Sequence, residues 1–252
     1  MTSPPAVVRS AANPQYKALR QLAQDNTAWR KQGRVWLEGD HLARAAIARG
    51  VVPVLAVHAE SCPRALRIPA PASLELADPL FNALSTLDSP ARVGAVVAVP
   101  VTSALDPLAP TVVLDRVQDA GNVGSILRSA AAFGFRQVVA LKGSASLWSP
   151  KVLRAGMGAH FALALHDGAE QQLLDALRAP LLATSSHQGG LLHEGKLPWP
   201  CAWLFGHEGQ GVSPDLLARA TLQVRIAQPG GEESLNVAAA AAICLHASGA
   251  AR

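Results

Sequence analysis

Cysteine is sparse in this sequence of 252 residues: Cys62, Cys201 and Cys244 lie far apart and match no metal-ligand spacing. That argues against a disulfide framework or a zinc knuckle and leaves three small core residues in a reducing compartment. Long hydrophobic runs are missing too. The alanine-rich stretch from Val237 to Leu245 is too short to span a bilayer, and the opening MTSPPAVVRSAANPQ has no apolar segment of the secretory kind. The expectation is a cytoplasmic protein with no membrane partner. Residues 1 to 24 are basic and free of acids, which also suits an organellar transit peptide, although the prolines and sparse arginines speak against one. Aromatics are few, 4% of a chain that is 50% hydrophobic, a composition that suits one large globular domain or two ordinary ones. There is no internal repeat. Neither the G-x-G-x-x-G dinucleotide fingerprint nor the G-K-[ST] ending of a phosphate loop is present, which disfavours nicotinamide and nucleotide-triphosphate chemistry.

Charge is unevenly placed. The net charge of +4 lies wholly before Asp106, where eleven basic side chains face seven acidic ones; beyond it the two signs balance at eleven each. The excess is densest in Arg20, Arg30, Lys31, Arg34, Arg44 and Arg49, interleaved with Tyr16, Trp29 and Trp36. That mixture is what a nucleic-acid surface uses, and it is also compatible with a solvated face that binds nothing.

Along the chain, Asn13-Pro14 caps and opens a first helix, residues 34 to 38 form a strand, Asp40 caps a helix through Arg49, residues 54 to 58 form a second strand, Asp78-Pro79 opens a short helix, and residues 94 to 99 form a third strand. These alternate into a small α/β layer spanning 1 to 105. Pro100, Pro107 and Pro110 break the periodicity and place a linker near 100 to 110. The second domain, 106 to 252, carries strands at 111–114, 138–141, 181–184, 202–205 and 222–226, with helices near 122–133, 150–158, 169–178, 214–220 and 235–247. Such alternation predicts a mostly parallel five-stranded α/β sheet.

The run Leu114–Phe135, LDRVQDAGNVGSILRSAAAFGF, joins a buried strand to an amphipathic helix through a tight turn. Val123, Ile126, Leu127, Ala130 and Ala131 form its apolar stripe. Asp119, Gly121 and Asn122 supply turn and cap chemistry, and Arg128 lies off the stripe on the side of Gly124. Two further turns follow strands: Gly206-x-Glu208-x-x-Gly211, leading into the cap Ser213-Pro214-Asp215, and Ser234-Leu235-Asn236, which opens the last helix. Strand-to-helix turns are where an open α/β sheet binds ligands, although each of these alone could be purely structural.

Taken together, NVGSILRSAAAFG, SPKVLRAGMGAHF, LFGHEGQGVSPDLL and ESLNVAAAAAICL resemble the SpoU (TrmH) family of RNA ribose 2′-O-methyltransferases, within the SPOUT class, over about residues 110 to 248. The resemblance implies a domain whose carboxyl end is tucked through a loop to form a trefoil knot. It implies methyl transfer from S-adenosylmethionine to a ribose 2′-hydroxyl, and a homodimer with the active site near the interface. The amino-terminal part resembles the ribosomal-protein-like domain that many members use to bind their ribosomal or transfer RNA. Carried over by motif, the cofactor-holding positions are Thr184, Gly206, Ile226, Ser234, Leu235 and Asn236; the catalytic and structural polar set is Asn122, Arg128, Glu208, Ser234 and Asn236. No metal is implied. The chain departs from the family at Ala120 and at Ala227-Gln228, where proline and proline-methionine are common. Arg128 is the family's candidate for handling the hydroxyl proton. Its permanent charge leaves two roles open, a base aided by a neighbouring phosphate or a cation that stabilises the developing alkoxide. An RNA-binding protein of the same fold without activity is the alternative reading.

Overall fold

The computed structural model describes residues 6–85, 89–185, 189–231 and 234–250. The chain divides into two compact units, Met1–Val101 with Trp148–Phe161, and Thr102–Leu147 with Ala162–Arg252.

In the first unit, α1 (Pro14–Gln24) starts where the Asn13 side chain accepts the amides of Gln15 and Tyr16 at 2.8 and 3.2 Å. The short α2 (Ala28–Gln32) stops at Gly33, whose left-handed backbone ends the helix. Then follow β1 (Arg34–Glu38), α3 (Asp40–Ile47), β2 (Leu55–Ala59), β3 (Ser73–Leu76), α4 (Asp78–Asn82) and β4 (Val93–Ala98). The sheet runs β1-β4-β2-β3, with β4 antiparallel to both neighbours and β2 parallel to β3. Strand β3 was not expected, because Ser73–Leu76 is short and follows a proline-rich run that reads as loop. Tyr16 and Trp36 are buried, at 2% and 3% exposure, so they are core residues and not part of a nucleic-acid surface. Tyr16 shares the inner face of α1 with Leu19 and Leu22, and Trp36 lies over Gly94, where a Cβ would come within 2.2 Å of its ring. Trp29 stays half-buried with the Arg30 guanidinium 5.4 Å from its ring, and the six clustered arginines and lysine are exposed.

The second unit contains β5 (Thr111–Leu114), α5 (Ala120–Ala132) and β6 (Gln137–Leu141). Helix α6 (Pro150–Gly156), which follows β6 in sequence and was expected in the second domain, belongs to the first unit, where Arg154 pairs with Glu38 at 3.2 Å. The second unit resumes with β7 (Ala164–Ala169), β8 (Leu181–Thr184), β9 (Gly190–Leu191), β10 (Ala202–Phe205), α7 (Pro214–Arg219), β11 (Leu222–Arg225) and α8 (Val237–Ala250). Among the described residues seven strands, two more than expected, form one sheet in the order β7-β6-β5-β10-β8-β11-β9, and every described pairing is parallel. β7 was hidden by its His-Asp-Gly sequence and β9 by its two-residue length. The expected helix at 169–178 is a 3-10 turn, Gln171–Ala176, in the short connection between β7 and β8.

Strands β5, β6 and β10 are buried along their whole length, as the central members of a sheet covered on both faces must be. Val113, Val139, Ala183 and Leu204 pack with Leu174 and Leu216 on one side. Helices α5 and α8 pack on each other, so closely that a Cβ on Gly249 would meet the Phe133 carbonyl at 2.7 Å. Trp203 of β10 donates its indole N–H to Ser248 of α8 at 2.9 Å, satisfying a buried polar atom while fixing that helix. Among the described residues no helix is long and apolar enough to cross a membrane.

Candidate active site

The loops leaving β5, β10 and β11 converge because those strands are near neighbours in a parallel sheet and all end on one edge. At the first loop, Asp119 and not Asn122 caps α5: its carboxylate accepts the Asn122 amide at 2.8 Å, and the helix begins at Ala120. This frees the Asn122 side chain to face outward from the first helical turn. At the second, Glu208 accepts the backbone amides of Gln118 (3.3 Å) and Asp119 (3.1 Å) and the Asn122 side-chain N–H (3.1 Å). At the third, Asn236 caps α8 by accepting the amides of Ala238 (2.9 Å) and Ala239 (3.2 Å), and its Nδ2 donates to Asn122 Oδ1 at 3.0 Å.

Glu208, Asn122 and Asn236 thus form one hydrogen-bonded chain through all three motifs. Its polarity is fixed from both ends. Helix amides require the Asn236 oxygen at one end and a carboxylate requires the Asn122 N–H at the other, so neither amide can be reversed without opposing like groups. Partial burial alone would raise the Glu208 carboxyl; the bonds from Asn122 and from the backbone at Asp119, Glu208 and Gln118 outweigh it and hold it below the usual carboxylate range.

The turn carrying Glu208 is folded on itself. His207 and Gly211 exchange backbone bonds at 3.0 and 2.8 Å, and the His207 Nδ1 accepts the amides of Gly209 and Gln210, which requires that nitrogen to be unprotonated. Gly206 is obligatory here for an internal reason: a Cβ would lie 2.0 Å from the Gly211 carbonyl carbon. Ser213 stands at the first position before α7, yet its hydroxyl caps nothing; its backbone N–H donates to Asp115 at 2.7 Å.

Asp115 and Arg116 are the site residues that sequence reasoning missed. Asp115 is 2% exposed and directly follows β5, and Arg116 beside it donates to both its oxygens, Nε to Oδ1 at 2.9 Å and Nη2 to Oδ2 at 3.2 Å. Burial pushes the Asp115 carboxyl up, but the bonds from Arg116 and Ser213 outweigh it and leave it depressed. The available signal was a carboxylate directly following a buried strand, a position where an unpaired charge is not tolerated.

Thr184, Gly206 and Ile226 lie at the carboxyl ends of the neighbouring strands β8, β10 and β11, with Thr184 paired to Val224. Ser234 and Leu235 are exposed in the loop before α8. Arg128 is exposed and makes no hydrogen bond or ion pair among the described residues; it stands about 9 Å along α5 from Asn122. Gly124, one turn before Arg128, is buried with the apolar stripe. Beside Ile226, the Gln228 Oε1 and Arg225 Nε are buried without a hydrogen-bond partner, and no group of acidic, histidine and cysteine side chains among the described residues suits a metal ion.

A covered parallel sheet with polar groups gathered at the carboxyl ends of its strands defines an open α/β ligand-binding domain. Residues 109–246 match the model of the SpoU rRNA Methylase family. The chain belongs to that family. It is 34% identical to an uncharacterized tRNA/rRNA methyltransferase of Synechocystis sp., covering 98% of this chain and 94% of that one. It is 30% identical to the 23S rRNA (guanosine(2553)-2′-O)-methyltransferase RlmP of Bacillus subtilis, over 95% of this chain and 97% of that one. The solved AdoMet-bound rRNA methyltransferase from Sinorhizobium meliloti superposes with a TM-score of 0.82 at 25% identity, covering 96% of this chain and 97% of that one.

Proposed function

We propose that the protein transfers a methyl group from S-adenosylmethionine to a ribose 2′-hydroxyl in structured ribosomal or transfer RNA. The single observation that carries this reading is the Glu208–Asn122–Asn236 chain, which gathers the three motif loops at the strand ends that bear Thr184, Gly206 and Ile226.

The cofactor is held by the loops around Thr184, Gly206, Ile226 and Ser234–Asn236, with the carboxyl end of the unit knotted through them. The strand-end position fits such a ligand, and so do the unpartnered Gln228 oxygen and Arg225 nitrogen, since a buried polar atom without a partner is costly unless a ligand or water completes it. When bound, the cofactor supplies a sulfonium-activated methyl group. The chain's own part is alignment and charge. Glu208 is committed to three N–H donors and is a structural organiser, not a base. Asn122 and Asn236 fix the loops about the ribose. Arg128, without a partner among the described residues and permanently cationic, clamps a phosphate and stabilises the developing alkoxide while the hydroxyl proton passes to solvent water. Two copies of the chain pair as a homodimer through the second unit, whose α8 exposes Ile243 (41%) and packs on the α5 that carries Arg128. The first unit is the RNA arm; exposed Arg20, Arg30, Lys31 and Arg34 and half-buried Trp29 do the binding.

Methyl-labelled cofactor incubated with total RNA from cells lacking the gene tests the activity, and mapping the 2′-O-methyl sites identifies the nucleotide. RNA binding without incorporation would refute it and favour the inactive RNA-binding reading. Arg30→Ala with Lys31→Ala should lower the salt dependence of RNA affinity by about 0.7–0.9 for each phosphate that is no longer neutralised. An unchanged slope excludes the RNA arm. These substitutions are preferable to deleting residues 1–101, which would strip residues 148–161 of their packing.

A further inference from the structure

We propose that Arg116 is a positioning residue for methyl transfer: together with Asp115 it clamps the turn that carries Glu208, and through Glu208 it sets Asn122 and Asn236. The inference rests on the proposed activity and adds a residue pair that the motifs do not contain. Its starting point is the backbone. Arg116 has a φ of 58°, in the left-handed region that a side chain with a Cβ adopts at a cost, and such outliers persist where the surroundings impose them.

What the strain achieves is visible. Consecutive side chains on a strand point to opposite faces, so Asp115 and Arg116 could not pair in an extended chain. The left-handed residue turns the guanidinium back onto its neighbour's carboxylate, where both oxygens accept it. The third bond leaves the pair: Arg116 Nη1 donates to Gln210 Oε1 at 2.9 Å, while Asp115 Oδ2 also accepts the Ser213 amide. Residues 210 and 213 are therefore both anchored to the end of β5. Glu208 sits two residues before the first anchor, inside the same closed turn, and its bonds return to Gln118, Asp119 and Asn122 just beyond Arg116. Gly143 completes the fit, because a Cβ there would approach Arg116 Cγ to 3.0 Å. A bidentate pair with a buried carboxylate and a strained backbone is a rigid reference point for the loop that carries Glu208.

The test uses the full chain, methyl-labelled S-adenosylmethionine and total RNA from cells lacking the gene, with three variants. Gln210→Ala cuts only the outer bond. Arg116→Lys keeps the charge but loses the planar fork. Asp115→Asn with Arg116→Gly removes both charges and the backbone strain together, which keeps the comparison valid if Arg116→Lys fails to fold. In each, cofactor affinity and the RNA KM should stay near wild type while kcat falls by about tenfold or more, as expected when reacting groups are misplaced by a fraction of an ångström. Adding Gln210→Ala to Arg116→Lys should cause little further loss, since both break one link. A kcat within about twofold of wild type would overturn the role, as would a raised RNA KM at unchanged kcat, which makes Arg116 an RNA-binding residue. So would a melting temperature that falls while turnover per folded molecule holds. Wild-type chain in the same reactions separates the two ideas: no methylation by it sinks the proposed activity and this role with it, whereas wild-type transfer alongside unaffected variants sinks only Arg116.

Discussion

Replacing Asn122 with aspartate tests the hydrogen-bonded chain with almost no change of shape. The new side chain can still accept from Asn236, but it turns an oxygen toward Glu208 where Asn122 now donates at 3.1 Å. Two ionised carboxylates at that separation repel by about 1 kcal/mol in water and about 5 kcal/mol at an effective dielectric of 20. Glu208 and Asn236 are exposed, which places the value near the lower end, and the lost bond to a charged acceptor adds about 1.5 kcal/mol. The expected penalty at pH 8 is about 3 kcal/mol, or a melting point lower by roughly 6–12 °C for a protein of this size. Acidification should repair it. The pair can share one proton and rebuild the bond, so its folded pKa lies above the unfolded value; stability is complete below the unfolded value and lost as pH rises through the folded one. Thermal melts of both proteins between pH 8 and pH 5 read the gap directly. A gap that does not narrow on acidification, or no gap at pH 8, would refute the polarity assigned to this chain.

Three other outcomes are expected. Arg128→Ala should retain cofactor affinity by calorimetry and lose transfer, and Arg128→Lys should recover little; a lysine variant whose rate climbs with pH as its amine deprotonates would instead mark that position as a base. Gly206→Ala should rebuild the 206–211 turn, because its Cβ has no space against Gly211 and Val212, and calorimetry should then show lost cofactor affinity; wild-type affinity in a folded variant removes the turn from the site. Asp115 and Glu208 are both depressed when folded, so they contribute stability above the ordinary carboxylate range, and it is lost as pH falls through their lowered values. Asp115→Asn should flatten the acid limb of the stability curve, which urea titrations from pH 5 to pH 2 would detect.

Local chemistry was readable wherever it repeats at a fixed spacing. Asn13-Pro14 opens a helix as its residue types require, and the buried runs at 111–114 and 202–205 are the adjacent central strands. What escaped depends on contacts between distant residues. Tyr16 and Trp36 stand among cations in the sequence but point away from them, because helix and strand periodicity turns them inward. The motif residues Asn122 and Asn236 were legible singly; their bond joins positions 114 apart, and nothing local announces it. Asp115 and Arg116 were harder still, since a left-handed backbone at an arginine leaves no trace in composition.

The Asn236 side chain has two duties, capping α8 with its oxygen and closing the chain to Asn122 with its nitrogen. Docking of that helix and completion of the site are therefore one event. A ribosome delivers the polypeptide from the amino end, so the basic first unit and the sheet strands emerge before Asn236 does. Until then the nascent chain has its excess of positive charge but not the closed hydrogen-bonded chain. A molecule truncated ahead of α8 by stalling or proteolysis would therefore keep most of the sheet yet lack the bond that joins the three loops.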